Sequence, residues 1–503
     1  MTGTMKKLIF ILILIAGISY SCEDFLDFQP KTLLTPEAAL YSQEDVALAL
    51  NGVYSSLQKA GYFGTQLIII ADAATDNGNW PADRESAGTN HDRLPFAYSL
   101  DLNANNTADE FWVDGYFTIA SVNNILTRLE AVTFDDDFED RVRAECLAIR
   151  AITHFDLTRI FAQDYNFTAN QSHLAVPYQF ESVPGTDPGR NTMAEVYQYA
   201  MADISEAIVL LQSLDGSEID NYRGGDDIFF INEYSALGVR ARMYFYMGDY
   251  ASALVDSDVI LTGPYSLSAY TTAQHVPPSF SNPTTFLDEW YRLAPIVEDE
   301  AIFQLEVDED DGDFANRSFI DIYLANDGNA AHGASADLLA LYEPADLRNY
   351  WYVDEPATPA PDRHVYKYPG SLGINADAHA IPVMRLSEFV LMSAECEARV
   401  GSAPRALTLV NSITARANAT AIASSGAQLI EDIITERRKE LTFEGHRLFD
   451  LKRLQRGFAR GADCTLTNGN CTVPYPTNLY AWPIPINEIN ANPVIRKQQN
   501  PGY

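Results

Sequence analysis

Residues 241–254 read ARMYFYMGDYASAL, and residues 394–407 read AECEARVGSAPRAL. The two stretches share the spacing A-x6-G-x4-A-L, in which one glycine separates two runs of residues with helical periodicity. This pattern predicts a helix that ends at the glycine, a short turn and a second helix. The alanines are small enough for two antiparallel helices to approach closely. The repeat is therefore typical of tetratricopeptide-like helical hairpins.

The same periodicity extends over much of the chain. Apolar residues three to four positions apart predict helices over 44–59, 109–131, 138–161, 192–214, 232–262, 384–400, 403–418 and 427–443. Ser42 with Asp45, and the pair Asn191 and Thr192, are predicted helix caps. The segments 109–131 and 138–161 are predicted to form a further, more degenerate hairpin. Because each hairpin needs neighbours to bury its apolar face, we expect a mainly α fold of three or four stacked units.

Two long segments interrupt the helical pattern. Residues 62–108 and 263–383 are rich in Asn, Asp, Gly, Pro and aromatic residues, which cluster where the backbone turns. They predict a loop-rich variable region with few short strands, carried by the helical scaffold. We expect two parts, residues 22–262 and 263–503, that form one integrated body.

The N-terminus predicts export and lipidation. Lys6 and Lys7 precede an apolar run over residues 8–18, which is too short to span a bilayer and is typical of a signal peptide over residues 1–21. Cys22 follows small residues, as lipoprotein processing requires, although Ser19 stands where a leucine is usual. The alternative is an ordinary cleaved signal with an unmodified Cys22. Lipid chains would anchor the protein to the outer membrane.

Composition excludes one class of function and favours a packed core. The net charge of −35 argues against nucleic-acid binding, which needs clustered Lys and Arg, and it favours neutral over anionic ligands. Hydrophobic residues make up 47% of the chain, which supports a folded core rather than disorder. Cys146 and Cys396 fall in helical patterns and are predicted to be small core residues. Cys464 and Cys471 flank a turn-rich stretch, and in an exported protein they are predicted to form a disulfide; two free thiols are the alternative.

Motifs for catalysis are absent from the sequence. No GxSxG, HExxH, Walker or GxGxxG pattern occurs, and the His residues lack metal-ligand spacing, so we expect neither a cofactor nor a metal site. The acidic run over residues 308–313 resembles a calcium loop, but its glycine is one position early and the terminal glutamate is missing. A solvated acidic turn is favoured there, and a structural calcium ion remains the alternative. Among 69 acidic residues, a glycosidase carboxylate pair also stays open.

Aromatic residues beside amides in the loops predict a sugar-binding surface. Flat rings stack on sugar C–H groups while amides bind hydroxyls, so a site needs an apolar floor and a few polar groups. The candidates are Asn77, Asn79 and Trp80, then Trp290 with Tyr291, then Trp351. Burial in the core is the alternative for each ring, and it is favoured for Trp290 and Trp351.

The C-terminal third carries the most specific sequence. Residues 436–447 read ERRKELTFEGHR, the chain ends QNPGY at 499–503, and CEDFLD begins at Cys22. This ordered set resembles the RagB/SusD family of nutrient-uptake lipoproteins. The charged residues of the motif are Glu436, Arg437, Arg438, Glu440, Glu444 and Arg447. We interpret them as ion-pair ladders and buried Arg–Glu pairs that fix helix packing, not as sugar ligands.

The resemblance implies a function. It implies that the protein catches an oligosaccharide at the cell exterior and delivers it to a SusC-like, TonB-dependent outer-membrane transporter, without catalysis. It also implies that the loop with Asn77 and Trp80 forms part of the binding face. A binding protein of the same fold that captures peptides or another nutrient is the alternative, and a glycoside hydrolase is the third hypothesis.

Overall fold

The computed structural model describes much of the chain. The described residues are 40–79, 98–105, 108–183, 185–214, 227–268, 299–306, 333–353, 364–365, 367, 380–464 and 470–503. Several predictions lie outside these residues: the signal peptide, Cys22, Trp80, Trp290, Tyr291 and the acidic run over 308–313. They therefore remain predictions.

The described part of the chain is mainly helical. Its α-helices are α1 Gln43–Gln58, α2 Gln66–Ala73, α3 Asp109–Ala131, α4 Asp136–Phe161, α5 Met193–Ser213, α6 Glu233–Met247, α7 Tyr250–Leu261, α8 Ala336–Leu339, α9 Leu386–Val400, α10 Ala403–Arg416, α11 Gly426–Glu440, α12 Arg447–Arg453 and α13 Ile486–Ala491. Its strands are β1 Gly78–Asn79, β2 Ala301–Leu305, β3 Gly333–Ala334, β4 Tyr352–Val353, β5 His364–Val365, β6 Ile381–Arg385, β7 Phe458–Ala459 and β8 Thr472–Val473. Within the ranges given above, no helix is both long and apolar enough to cross a membrane.

The long helices form a continuous stack. Helix α1 packs on α3, α3 on α4, α4 on α5, α5 on α6, and α6 on α7. Helix α7 then packs on α9, which in turn contacts α10 and α11. Buried apolar side chains from all of these helices belong to one hydrophobic core. This arrangement confirms the predicted mainly α fold of stacked helical hairpins.

The two repeated sequence patterns form hairpins for different physical reasons. Helix α6 ends at Gly248, whose φ of +82° lies in the left-handed region that glycine adopts without strain. Gly401 ends α9 at a φ of −122°, which any residue adopts. A side chain at Gly401 would instead collide with the carboxylate of Glu397. Gly248 is required by backbone conformation, whereas a side chain at Gly401 would have to displace the end of the Glu397 side chain.

Small side chains let α7 and α9 approach each other. Ala253 on α7 and Ala394 on α9 are completely buried. Ser393 donates a hydrogen bond from its Oγ to the Oγ of Ser257 at 2.8 Å, directly across the interface. Small residues therefore lie at the contact that connects the two hairpins, whereas the repeated alanines were predicted to let the helices within each hairpin approach closely.

The predicted helix ends lie within two residues of the observed ends except at the motif. Ser42 with Asp45, and Thr192 with Glu195, form capping boxes in which side chain and backbone exchange hydrogen bonds. The predicted helix over 427–443 is too long, because α11 ends at Glu440. The chain then turns through Phe443, whose φ is +59°, so helical geometry cannot continue.

Short strand pairs and a disulfide complete the framework. Strands β2 and β6 pair antiparallel and are fully buried, and β6 leads directly into α9. The other strand pairs are two residues long: β1 with β3, β4 with β5, and β7 with β8. The predicted disulfide between Cys464 and Cys471 is confirmed, and Cys146 and Cys396 are buried free thiols.

The C-terminal QNPGY segment is docked onto the body. Gln499 accepts a hydrogen bond from the Ile484 amide at 2.8 Å and donates one to the Ile484 carbonyl at 3.0 Å. Asn500 donates to the Phe161 and Trp482 carbonyls at 2.7 and 2.6 Å. The prediction that this segment is structural is confirmed, because its polar side chains satisfy buried backbone groups.

We expect Ala253→Leu to lower the free energy of unfolding by about 1–3 kcal/mol, because an overpacked core forces neighbours out of position. Ala251→Leu on the same helix is the control, since Ala251 is exposed and its replacement should change stability by less than about 0.5 kcal/mol. Urea unfolding followed by circular dichroism measures both. Equal effects of the two substitutions would contradict a tight α7–α9 contact.

Candidate functional site

The motif helix α11 ends in a buried cluster of charges. The Glu440 carboxylate accepts hydrogen bonds from Arg416 at 2.6 Å, Arg385 at 2.9 Å and Arg348 at 3.1 Å. Burial alone would raise the pKa of Glu440, but these guanidinium groups hold it well below its ordinary value. Glu440 therefore stays ionised and joins three segments of the chain that are far apart in sequence.

The cluster extends on both sides of Glu440. Arg385 also binds Glu300 at 2.8 Å and Glu444 at 2.6 Å. Lys367 donates to Glu444, and burial lowers the pKa of Lys367 to about 8. We call these seven residues the Glu440 cluster: Glu300, Arg348, Lys367, Arg385, Arg416, Glu440 and Glu444.

The partners of the motif residues correct one detail of the sequence interpretation. The predicted ladder within one helix is limited to Glu436 with Lys439, whose ion pair spans three positions at 3.2 Å. Every other motif charge described so far binds another segment. Arg437, for example, binds Asp450 on α12 at 3.0 Å. The architectural role is confirmed, but it is tertiary rather than local.

Two further motif arginines fix the start of the predicted binding loop. Arg447 donates two hydrogen bonds of 2.8 Å to the Asp76 carboxylate. Arg438 binds the Asp76 carboxylate at 3.1 Å and donates to the Asn77 side-chain oxygen at 2.7 Å. Burial alone would raise the pKa of Asp76, but Arg447 and Arg438 hold it below its ordinary value. Asp76 is therefore a charged anchor for the backbone that leads towards Trp80.

A second segment, which includes strand β3 and Ser335, also binds residues 76–79. Strand β1 pairs with β3, so that Gly78 lies opposite Ala334. Ser335 donates from its amide to the Asn77 carbonyl at 2.8 Å and from its hydroxyl to the Asp76 carbonyl at 2.7 Å. We call residues 75–79 and 333–335 the loop base. The chain runs from it directly into residues 80–97 on one side and arrives from residues 307–332 on the other.

The loop base changes the interpretation of Asn77. Its side chain is 1% exposed, and its amide donates to the buried Asp72 carboxylate at 2.7 Å while Arg438 occupies its oxygen. Burial raises the pKa of Asp72 to about 6. Asn77 was predicted as a sugar ligand, but it holds the loop base together and presents no group to a ligand.

The other two candidates among the described residues, Asn79 and Trp351, differ in whether a polar group is left without a partner. The Asn79 side-chain oxygen is buried and has no hydrogen-bond partner within the described residues. Trp351 is 2% exposed, and the Lys367 ammonium lies 4.3 Å from the centre of its ring. Trp351 therefore follows the alternative that the sequence favoured, burial in the core, and not the sugar-binding one, because a ring covered by core side chains cannot stack on a sugar.

Sequence reasoning missed the role of Asp76. No local pattern pairs Asp76 with Arg438 and Arg447, because both arginines lie more than 360 positions later in the chain. The described ranges bring no group of three His, Cys, Asp or Glu side chains into a geometry that could hold a metal ion. The buried charges of this region are engaged with one another and hold the backbone of the loop base in place.

Comparison with known proteins agrees with this architecture. One family model, described as "SusD family", matches residues 356–503, and another, described as "Starch-binding associating with outer membrane", matches residues 24–221. The chain belongs to the SusD family. SusD-like protein P25 of Formosa agariphila is 24% identical to it, with 96% of this chain and 97% of that protein covered.

Solved structures show the SusD fold along the same length. A SusD superfamily protein from Bacteroides thetaiotaomicron has a TM-score of 0.77 and 24% identity, with 92% of this chain and 100% of that chain covered. A laminarin-binding SusD-like protein has a TM-score of 0.67 and 20% identity, with 91% and 99% covered. The helical stack is therefore that of the SusD superfamily.

We expect Glu440→Gln to lower the free energy of unfolding by about 3–5 kcal/mol, because it leaves buried arginines without their shared carboxylate. Since the pKa of Glu440 is lowered in the folded protein, its contribution is present above the ordinary glutamate pKa. The difference from the wild type should therefore be constant from about pH 5 to 8 and shrink only below about pH 4. Urea unfolding at several pH values measures it.

Glu431→Gln is the matched control for that substitution. Glu431 pairs with Arg456 on the surface, where both side chains are about two-fifths to half exposed (47% and 40%). Exposed pairs contribute about 0–1 kcal/mol, so this variant should unfold almost as the wild type does. If both variants lost the same small amount, the Glu440 cluster would not be the constraint that we describe.

Proposed function

We propose that this SusD-family protein binds a neutral glycan at the cell surface and delivers it to a TonB-dependent outer-membrane transporter, without catalysing a reaction. The loop that begins at Asn79 and contains Trp80 would form part of the binding face. The observation that carries the proposal is the loop base, because its ion pairs give a binding loop a fixed point of departure.

A fixed departure point favours binding for an energetic reason. A ligand that orders a mobile loop loses part of its binding free energy to that ordering. Arg438 and Arg447 already order the backbone of residues 75–79 before any ligand arrives, through Asp76 and Asn77. The loop base itself therefore adds no such cost on binding.

Relatives and charge support the class of ligand. One structural neighbour is named for laminarin binding, and one family model is described by starch binding and association with the outer membrane. Laminarin and starch are both uncharged glucose polymers. The net charge of −35 would repel an anionic polysaccharide, so neutral glycans are the first ligands to test.

We expect Trp80→Ala to weaken binding of laminarin or soluble starch by about 1–3 kcal/mol, because a central stacking ring is a typical binding hot spot. Affinity gels that contain each polysaccharide, with bovine serum albumin as a non-binding reference, measure the change. Tyr41→Ala is the control, since Tyr41 is 77% exposed and lies before α1. Unchanged retention of a folded Trp80→Ala protein would exclude Trp80 from the site.

The same preparation tests the competing functions. Incubation with each polysaccharide should release no reducing ends, and their release would show a glycoside hydrolase. Retention by none of a panel of laminarin, soluble starch, xylan and β-mannan, together with capture of peptides, would replace the glycan proposal with peptide uptake.

We expect Cys22→Ser to release the protein from the membrane fraction, because lasting attachment needs at least two buried acyl chains. Expression in a Bacteroidetes host with a labelled fatty acid measures both incorporation and fractionation. The wild type should carry label and sediment with outer membranes, and its surface should be reached by added protease in whole cells. An unlabelled wild-type protein would exclude the lipid anchor.

A further inference from the structure

A large cavity lies on the helical stack, apart from the loop base. It has a volume of about 780 Å³ and is lined by the C-terminal half of α3, by α4 and α5, and by residues 180–183. Small-molecule sites in proteins have volumes of roughly 300–1,000 Å³. The cavity shares no residue with the loop base, so it needs an explanation of its own.

One exposed aromatic ring stands at this cavity. Phe180 is 46% exposed and lies in a segment without helix or strand. Its ring is nevertheless held, because Tyr178 and Tyr199 contact it with ring centres 5.0 and 5.1 Å away, and the Arg150 guanidinium lies 5.2 Å from its centre. A ring that is held in place but left uncovered can act as a flat apolar platform.

The support beneath Phe180 is rigid and polar. Tyr178 stacks on His154 with ring centres 3.8 Å apart, and its hydroxyl donates to Asp203 at 2.5 Å. Arg150 binds the same Asp203 carboxylate through two hydrogen bonds of 2.6 and 2.8 Å. Burial lowers the pKa of His154 to about 3, so the histidine stays neutral and the stack keeps its geometry at physiological pH.

The polar lining of the cavity is balanced in charge. It contains three arginines and four acidic residues: Arg128, Arg143, Arg150, Glu130, Glu181, Asp203 and Glu206. This near-balance contrasts with the net charge of −35 for the whole chain. The lining also contains Asn124, Thr127 and Ser182, so that it offers both hydrogen-bond donors and acceptors. Such a surface suits a neutral ligand whose hydroxyl groups both donate and accept hydrogen bonds.

We propose that this cavity, which we call the Phe180 cleft, is a second carbohydrate-binding site that receives a neutral sugar ring on the face of Phe180. Asn124, Thr127 and Glu206 line the same cleft and would supply polar groups for the hydroxyl groups of that ring. The ligand class is the one in the proposed function, on which this inference rests, but the residues are different. Two separated sites on one chain would hold a long glycan more tightly than either site alone.

The stoichiometry of a short glycan tests the Phe180 cleft. Isothermal titration with laminarihexaose and maltohexaose should give two molecules bound per wild-type protein for at least one of these probes. Phe180→Ala should reduce that number to one, while Phe180→Trp should retain two, because tryptophan also offers a flat ring. Retention in gels that contain the long polymer should weaken roughly tenfold in Phe180→Ala, because bivalent attachment is lost.

Phe167→Ala is the matched control, since Phe167 is another exposed phenylalanine, at 40%, in a segment outside the helices. It should bind two molecules, as the wild type does. Thermal unfolding of all variants should agree within about 2 °C, because the replaced rings are half exposed. A folded Phe180→Ala protein that still binds two molecules would overturn the proposal.

The two sites fail in distinguishable ways. In one case the wild type binds one hexasaccharide, with binding lost in Trp80→Ala and unchanged in Phe180→Ala. That result would overturn the Phe180 cleft and keep the proposed role of the loop with Trp80. If the one bound hexasaccharide were lost in Phe180→Ala and kept in Trp80→Ala, the Phe180 cleft would stand and the role of Trp80 would be overturned. Binding of neither hexasaccharide, combined with retention by no neutral polymer of the panel, would overturn both.

Discussion

The Glu440 cluster is the constraint on which the rest of the structure depends. Glu440 lies where α11 ends, and its carboxylate is shared by Arg348, Arg385 and Arg416, which come from three other segments. A buried charge without a partner costs several kcal/mol, so none of these segments can move independently. The cluster therefore fixes α9, α10 and α11 relative to the strand pair β2–β6 before any loop is considered.

The packing around Glu440 also positions the two arginines that bind the loop base. Arg438 precedes Glu440 by two positions on α11, and Arg447 begins the next helix, so both arginines are placed by the same packing that buries Glu440. They converge on Asp76, more than 360 positions earlier in the chain. The charged motif thus has a structural role across the chain, because it joins the C-terminal helices to the start of an N-terminal loop.

The sequence predicted the helices far better than the ligand site, for a physical reason. Helical periodicity is local, so the repeat around Gly248 and Gly401 was enough to place both hairpins within a few residues. The environment of a loop side chain is set by residues distant in sequence. Nothing near Asn77 in the sequence indicates Arg438, so an amide suited to sugar binding proved to be buried. Trp351 is buried too, as the sequence favoured, but nothing near it indicates its contact with Lys367.

Phe180 was not among the candidates predicted from the sequence, because no sequence pattern distinguishes it. Its significance comes from what lies beneath it: the Arg150–Asp203 ion pair on α4 and α5, and the stacked rings of Tyr178 and His154. Ordinary packing would cover a ring that has so many ordered neighbours, because burying it would remove apolar area from water at about 25 cal/mol per Å². A ring that the structure orders but leaves exposed beside a cavity is better explained by a ligand that completes the burial. The same criterion excludes Trp351, whose burial is already complete.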